Sequence, residues 1–453
     1  ASNVSPQPGE AAPGDAPRSR SGLLRILGVW DGLAVVIGVI IGSGILRTPG
    51  IIAANLGEPL AIFGIWVLGA LVAIASALVL AELVTLIPRV GGKYVYAREA
   101  FGPVAGFVTG WSEIVSRGLT AAAKAVVIGE YVALLTGVAT ARVVGALVPL
   151  AFAAVHWAGL RPARALQNAS TVLKVLVLLG VTLVAFLLGD GWDWEPPVTT
   201  TAATAGWLAA FALSFQVISF TYYGYDEATK LAEEVRHPQR DMPRILIFGI
   251  LAVAAIYLLV NAGYLYVLTP AEMAGSPLVA ADVVERLLGR EAEVLVTLAA
   301  LVVLLGSINV NFLSLPRVGL ALAQDGLAPR AMSRVSRGGT PRGALLVATV
   351  VVLLATIPGS FLQLVMFIMF VALTVDGLVI LGLFRLRRTR AGWERPFRVP
   401  LYPGLPLLVL LIYAGLLAAI AVSFPSVAGW ALLLLGGLWG VGTLWARRTR
   451  AVE

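Results

Sequence analysis

Long apolar runs, separated by short polar segments, dominate this chain. They fall at roughly 32–55, 60–88, 104–136, 142–159, 168–189, 205–232, 243–268, 292–323, 343–358, 361–385, 405–424 and 427–446. Each holds about 17 or more mostly apolar residues, the length an α-helix needs to cross a bilayer. The pattern predicts an all-α polytopic membrane protein with about 12 transmembrane helices. Two of the runs are interrupted. In the first, Leu-Ala-Val-Val-Ile-Gly-Val-Ile-Ile precedes Gly42-Ser43-Gly44 near the middle of the span. In the sixth, the interruption reads Phe220-Thr221-Tyr222-Tyr223-Gly224-Tyr225-Asp226. One glycine in a membrane helix means little. Two interruptions at matching places in two halves point to an inverted-repeat transporter with its site near the midplane. The alternative is a pair of ordinary helices packed through small residues.

Charge sets the orientation. Of the 33 Lys and Arg residues, Arg117, Lys124 and Lys174 fall within spans. Arg47, Arg142, Arg286 and Arg290 fall on one side, and the remaining 26 on the other. Basic residues concentrate on the cytoplasmic side, so both termini are expected there. The net charge of +8 then needs no nucleic-acid partner; the partner is the lipid bilayer. The chain is 59% hydrophobic and 13% charged, and its mean hydropathy is +0.90. Residues 1–20 are rich in Pro, Gly, Ser and Ala without apolar periodicity, which reads as a disordered tail with no cleavable signal before the first span. There is no cysteine, which excludes a disulfide, a thiolate metal site and a cysteine nucleophile. The two histidines, His156 and His237, lie at a helix end and in a loop, so no metal site, and no cofactor, is expected. No P-loop sequence appears, so direct ATP hydrolysis is not supported.

An unwound segment frees backbone groups that lipid cannot satisfy, so they must line a cavity or a ligand. N–H groups freed at Gly42-Ser43-Gly44 open a half-helix and suit a carboxylate. Carbonyls freed at Phe220–Tyr225 close one and suit an ammonium. Together they describe a receptor for an amino acid. Phe220 is either a lid at the edge of the break or an ordinary packed aromatic. Lys174 sits inside the fifth span, where a lysine is costly. It either places its ammonium among carbonyls freed by the first break, in place of a bound cation, or snorkels to the interface. Ser307, Asn309, Asn311 and Ser314 on the eighth span offer it partners, or serve as interhelical glue. Glu113 and Arg117, four residues apart, read as a structural pair. Asp226 and Asp376 are candidates for a proton carrier or for a contact with a cationic side chain; capping of freed backbone is the other reading of Asp226.

Four separated motifs resemble the amino acid–polyamine–organocation (APC) superfamily, and most closely its L-type amino acid transporter branch. They are Gly42-Ser43-Gly44-Ile45 with Thr48-Pro49-Gly50; Ala81-Glu82-Leu83 with Gly91 to Tyr96 and Phe101-Gly102; Phe220 to Asp226 with Glu233-Glu234-Val235, Pro238, Arg240 and Pro243-Arg244; and Arg395 to Pro400 with Tyr402-Pro403. Leu46 stands where the family usually has Phe, Lys93 where it has a small or acidic residue, and Tyr225-Asp226 where the branch often has Trp-Asn or Trp-Asp. The resemblance implies a LeuT-type 5+5 inverted repeat with two extra C-terminal helices. Residues 21–190 would hold helices 1–5, 200–390 helices 6–10, 400–446 helices 11 and 12, and 447–453 a cytoplasmic tail. It further implies that Ser43, Gly44 and Ile45 donate to the substrate carboxylate. Val39, Ile40, Phe220, Thr221 and Tyr223 would receive the amine, Phe220 would be the gate, and Lys174 would replace a sodium ion. Animal L-type subunits are disulfide-linked to a heavy chain; without cysteine this chain is expected to work alone, as a monomer. The expectation is a sodium-independent amino acid transporter of a bacterial inner membrane, an exchanger of neutral L-amino acids and not an enzyme. The rival is proton-coupled or exchange transport of cationic amino acids or polyamines.

Overall fold

The computed structural model describes residues 27–137, 141–158, 160–192, 201, 206–336, 340–356 and 361–450. The N-terminal tail expected over 1–20 lies outside the described residues. A helix stands at each of the twelve expected positions. The first span is a bent pair, α1 (Val29–Ile40) and α2 (Ser43–Leu56). Next come α3 (Pro59–Leu86), a short α4 (Lys93–Phe101), α5 (Pro103–Thr136), α6 (Ala141–Ala158) and α7 (Leu160–Leu188). The sixth span is α8 (Trp207–Tyr222) followed by a 3-10 turn, Tyr225–Leu231. Then follow α9 (Pro238–Leu265), two short helices α10 (Pro270–Ala274) and α11 (Val279–Leu288), and α12 (Arg290–Gln324). The chain ends with α13 (Arg342–Thr356), α14 (Phe361–Thr389), α15 (Gly404–Ser423) and α16 (Pro425–Arg450).

Among the described residues, seven single helices are long and apolar enough to cross a membrane, or up to eight spans if the α1–α2 pair counts as one. The four other expected spans depart for separate reasons. Helix α5 is long at 34 residues but carries Glu113, Arg117 and Lys124. Helices α6 and α13 are apolar but short. Helix α8 stops at 16 residues because its span is broken. The segment between α9 and α12 holds α10 and α11, which pack on α2 where the sequence suggested only a loop.

Both breaks are real and compact. Helices α1 and α2 meet at 46°, with Ile41 extended and helical residues resuming at Ser43. The unwound point is therefore Ile41-Gly42, a residue or two earlier than the glycine pair suggested. In the sixth span, Tyr223 is extended and Gly224 takes φ +129°, a conformation that L side chains rarely adopt. Helix α2 packs on α8, and α1 packs on the 3-10 turn. The two broken spans thus run antiparallel with their breaks side by side. Trp66, Tyr222 and Tyr257 form an edge-on aromatic cluster next to them, with ring centroids 5.3–6.1 Å apart. Beyond the 3-10 turn, Leu27 N donates to Glu234 O (2.9 Å) and Arg236 N to Leu27 O (3.0 Å). This backbone bridge ties the start of α1 to the end of the sixth span.

Two motif blocks distant in sequence meet here. Glu82 on α3 is fully buried. It accepts two bonds from Arg387 (2.8 and 2.5 Å) and one from Val399 N (2.7 Å), and Arg395 lies 3.5 Å away. One carboxylate therefore anchors the end of α14 and the loop that follows.

Candidate substrate site

A narrow cavity of about 20 Å³ lies between the breaks. It is lined by Val39, Ile40, Gly42, Ser43 and Gly44 from the first span, by Phe220, Thr221 and Tyr223 from the sixth, by Arg117, Thr120 and Lys124 from α5, and by Asn311 from α12. Seven of the eight residues expected to hold substrate are in that lining. Ile45, the eighth, is fully buried and outside it; its expected contribution is a backbone N–H.

The freed backbone groups find specific partners. Ile40 O accepts from Tyr257 Oη at 2.9 Å, and Phe220 O accepts from Tyr223 N at 3.0 Å. Each carbonyl has two lone pairs, so both keep capacity for a further donor. Lys174, fully buried, donates to Gly38 O at 2.9 Å. Its ammonium therefore caps the carbonyl end of α1 and does not snorkel. The polar residues expected to serve it on α12 point elsewhere. Asn309 Oδ1 lies 2.9 Å from His156 Nε2, Asn311 Nδ2 reaches Arg117 O at 3.5 Å, and Ser307 O accepts from Lys124 at 3.4 Å. The reason is rotational: Ser307 and Asn311, four residues apart, meet α5, Asn309 on another face meets α6, and Lys174 reaches across to α1.

Helix α2 and α8 touch through Gly44. A Cβ there would lie 2.9 Å from Thr221 Cα and 2.8 Å from its Cγ2. Thr221 is itself pinned, its hydroxyl 2.7 Å from Thr48 Oγ1 and 2.9 Å from Val217 O. On the α2 side of the break, Phe220 packs edge-on against Phe361, 6.1 Å between centroids. Arg47 lies over Phe361 and pairs with Glu130 at 2.5 Å.

On the α1 side lies a buried ion network. Arg117 Nη2 holds both oxygens of Asp226 (2.6 and 2.5 Å), and its Nε lies 2.7 Å from Glu227. Lys93 lies 2.5 Å from Asp376 and 3.1 Å from Asp226. It also donates to Tyr223 Oη at 2.6 Å, which donates in turn to Asp376 at 3.1 Å. Lys230 lies 3.0 Å from Glu227 and 3.4 Å from Glu113. The seven charged side chains of this network are at most 8% exposed. The pair expected between Glu113 and Arg117 is not made, because Arg117 turns to the sixth span. Asp226 does not merely cap backbone, and neither Asp226 nor Asp376 lines the cavity.

Sequence reading missed Arg117, Thr120 and Lys124 as lining residues. The signal was present: positions i, i+3 and i+7 share one helical face.

These features have close relatives. A profile of the amino acid permease family matches residues 27–435. The chain belongs to that family. It is 30% identical to the b(0,+)-type amino acid transporter 1 of Mus musculus over 89% of this chain and 84% of the relative. It is 30% identical to the Asc-type amino acid transporter 1 of Mus musculus, over 96% of this chain and 84% of the relative. It is 26% identical to the serine/threonine exchanger SteT of Bacillus subtilis, over 95% and 98%. The family and these relatives are transporters, not enzymes, and this permease is a multi-pass membrane protein.

Proposed function

We propose that this permease exchanges neutral L-amino acids across a bacterial inner membrane without sodium, with both termini cytoplasmic. The observation that carries the proposal is the pair of breaks lying side by side around one cavity. Residues at the start of α2 and at the end of α8 both line it. Antiparallel packing of the two broken spans supports a 5+5 inverted repeat. The relative named a serine/threonine exchanger supports exchange of small neutral substrates.

Alternating access has its parts on either side of the cavity. Phe220, Phe361 and the Arg47–Glu130 pair close one side; the ion network closes the other. Tyr223 belongs to both cavity and network, so motion at the site reaches the network directly. A cavity of about 20 Å³ has to widen to admit an amino acid. Against the rival reading, a cationic substrate, stands the charge of the cavity: the charged side chains lining it are Arg117 and Lys124, both cations. The cysteine-free sequence supports a chain acting without a disulfide-linked partner.

The substrate is expected to need both a free amine and a free carboxylate. In competition uptake, methyl esters and N-acetyl derivatives should fail where the parent amino acid succeeds. A polyamine or agmatine that competes as well as any amino acid would refute the neutral assignment.

Lys174 is expected to make transport sodium-independent, because its ammonium sits where a cation would otherwise neutralise Gly38 O. Lys174→Ala leaves that buried carbonyl unpaired, which is costly, and loosens α1. Exchange should fall at least tenfold, equivalent to about 1.4 kcal/mol on the rate-limiting barrier. Radiolabelled exchange in proteoliposomes with choline replacing sodium reads both points. Wild-type uptake that vanishes in choline, or an alanine variant at full rate, contradicts the assignment.

A further inference from the structure

We propose that Lys124 is the counter-charge for the substrate's α-carboxylate, in an anion site completed by the hydroxyls of Ser43 and Ser307; this rests on the amino acid reading above. Lys124 projects from α5 and is 4% exposed. Every cation of the ion network has a carboxylate within 4.0 Å. Lys124 has none among the described residues. Its hydrogen bond there is a long one, 3.4 Å to Ser307 O, although an ammonium has three donors to place. Lys174 also lacks a carboxylate, but it is served by Gly38 O at 2.9 Å and lies outside the cavity lining.

Two more donors belong to residues at the start of α2 or packed against it. Ser43 Oγ and Ser307 Oγ are buried and have no hydrogen-bond partner among the described residues. Gly42, the residue before α2, stands against Ser307 and Lys124. A Cβ on it would lie 2.8 Å from Ser307 Oγ and 3.7 Å from Lys124 Cε. The Lys124 and Ser307 side chains therefore lie against the N-terminus of α2, whose first residue, Ser43, carries the second unpartnered hydroxyl. The first-turn N–H groups of a helix are unsatisfied by the helix itself, and the dipole there favours negative charge. All these groups are donors, and no described carboxylate answers them. The ligand they fit is a carboxylate.

The α-carboxylate is the one placed to use it. The Lys124 side chain lies beside Gly42 at the break, where the first-turn N–H groups of α2 begin. The carbonyls suited to the amine lie within the same cavity. A consequence for transport follows. Burying an ammonium without an anion is costly, and the substrate supplies the anion. Closing the protein around a loaded site is then easier than closing it around an unloaded one, which is the energetic requirement of an exchanger.

The test is ligand binding to the purified full chain. The probes are L-alanine, L-serine, L-leucine and L-aspartate, with L-alaninol and L-leucinol as analogues lacking the carboxylate. Wild type should prefer L-alanine and L-leucine over their alcohols by at least about a hundredfold. Lys124→Met should lose at least about tenfold for every amino acid bound and leave the alcohols unchanged. Lys124→Arg should keep the preference. Ser307→Ala, which retains the charge, should lose a smaller part of it, so the assignment stays testable if the methionine variant folds poorly. Equal losses for acids and alcohols would make Lys124 structural and overturn the proposal. A loss confined to L-aspartate would assign the ammonium to the substrate's side chain and overturn it too. A wild-type chain that binds amino acids normally, with a methionine variant that does the same, defeats this inference alone. A wild type that binds none of them defeats the amino acid reading and this inference with it.

Discussion

Gly44→Val is expected to abolish transport, reducing exchange in proteoliposomes to the background of empty vesicles. The reason is a backbone contact rather than a flexible one. A Cβ at residue 44 would meet Thr221 Cα at 2.9 Å, closer than real Cβ atoms approach. Thr221 cannot yield by changing rotamer alone, because its main chain is the obstacle and its hydroxyl is held by Thr48 and Val217. The two extra methyls of valine add to that conflict and restrict the side chain to few rotamers. Helices α2 and α8 must part, and the N–H groups at the start of α2 leave the place where a carboxylate would meet them. The fold itself rests on many other helix contacts, so a monodisperse but inactive protein is the expected result. Substrate should no longer raise its melting temperature, whereas in wild type a binder at a hundredfold excess over Kd stabilises by about 2.7 kcal/mol. A valine variant that exchanges at the normal rate would remove the paired breaks from the mechanism.

Lys93→Met should cost about 3–5 kcal/mol of stability, the range for removing one partner of a buried ion pair. Lys93 stands between Asp376 at 2.5 Å and Asp226 at 3.1 Å, and methionine has similar length but no charge. Asp226 keeps Arg117. Among the described residues Asp376 then keeps the Tyr223 hydroxyl and becomes a buried carboxylate with no cation within 4.0 Å. Adding Asp376→Asn removes that carboxylate, so the double variant should recover much of the lost stability. A double-mutant cycle read by thermal unfolding of detergent-solubilised protein measures the coupling. Strict additivity of the two substitutions would show that the pair is not energetically linked. Exchange should suffer as well, since Tyr223 bonds to Lys93 and also lines the cavity.

The fold class was readable because lipid imposes a rule on sequence. A span must be long and apolar, and departures from that rule stand out. Gly42 and Gly224 stood out for this reason, and both mark the unwound points to within a residue or two. Lys174 stood out as an intramembrane charge, and of its two readings the structure has the one in which its ammonium reaches a carbonyl of α1. The identity of that carbonyl, Gly38, was not readable, nor was the turning of Asn309 and Asn311 toward α6 and α5. Those depend on how helices rotate about their axes when they pack.

Charge pairing was the least readable feature. Glu113 and Arg117 are neighbours along one helix, and local spacing favours their pairing. In the folded chain Arg117 instead meets Asp226 and Glu227, more than a hundred residues away in sequence. A buried guanidinium takes the partners that satisfy most of its donors, and only the packed helices bring those within reach. For the same reason Lys93, visible in the sequence only as an unusual residue after two glycines, becomes the link between α4, the sixth span and α14. Lys124 looked like one more charge on an already charged helix; the assembled bundle places it in the cavity between the breaks, with no carboxylate within 4.0 Å among the described residues. The sequence by itself determined the spans, the two breaks and the membrane setting, because each follows from local chain chemistry in lipid. Only the tertiary structure decided which buried charges meet, because each pairing joins helices whose relative rotation no local pattern specifies.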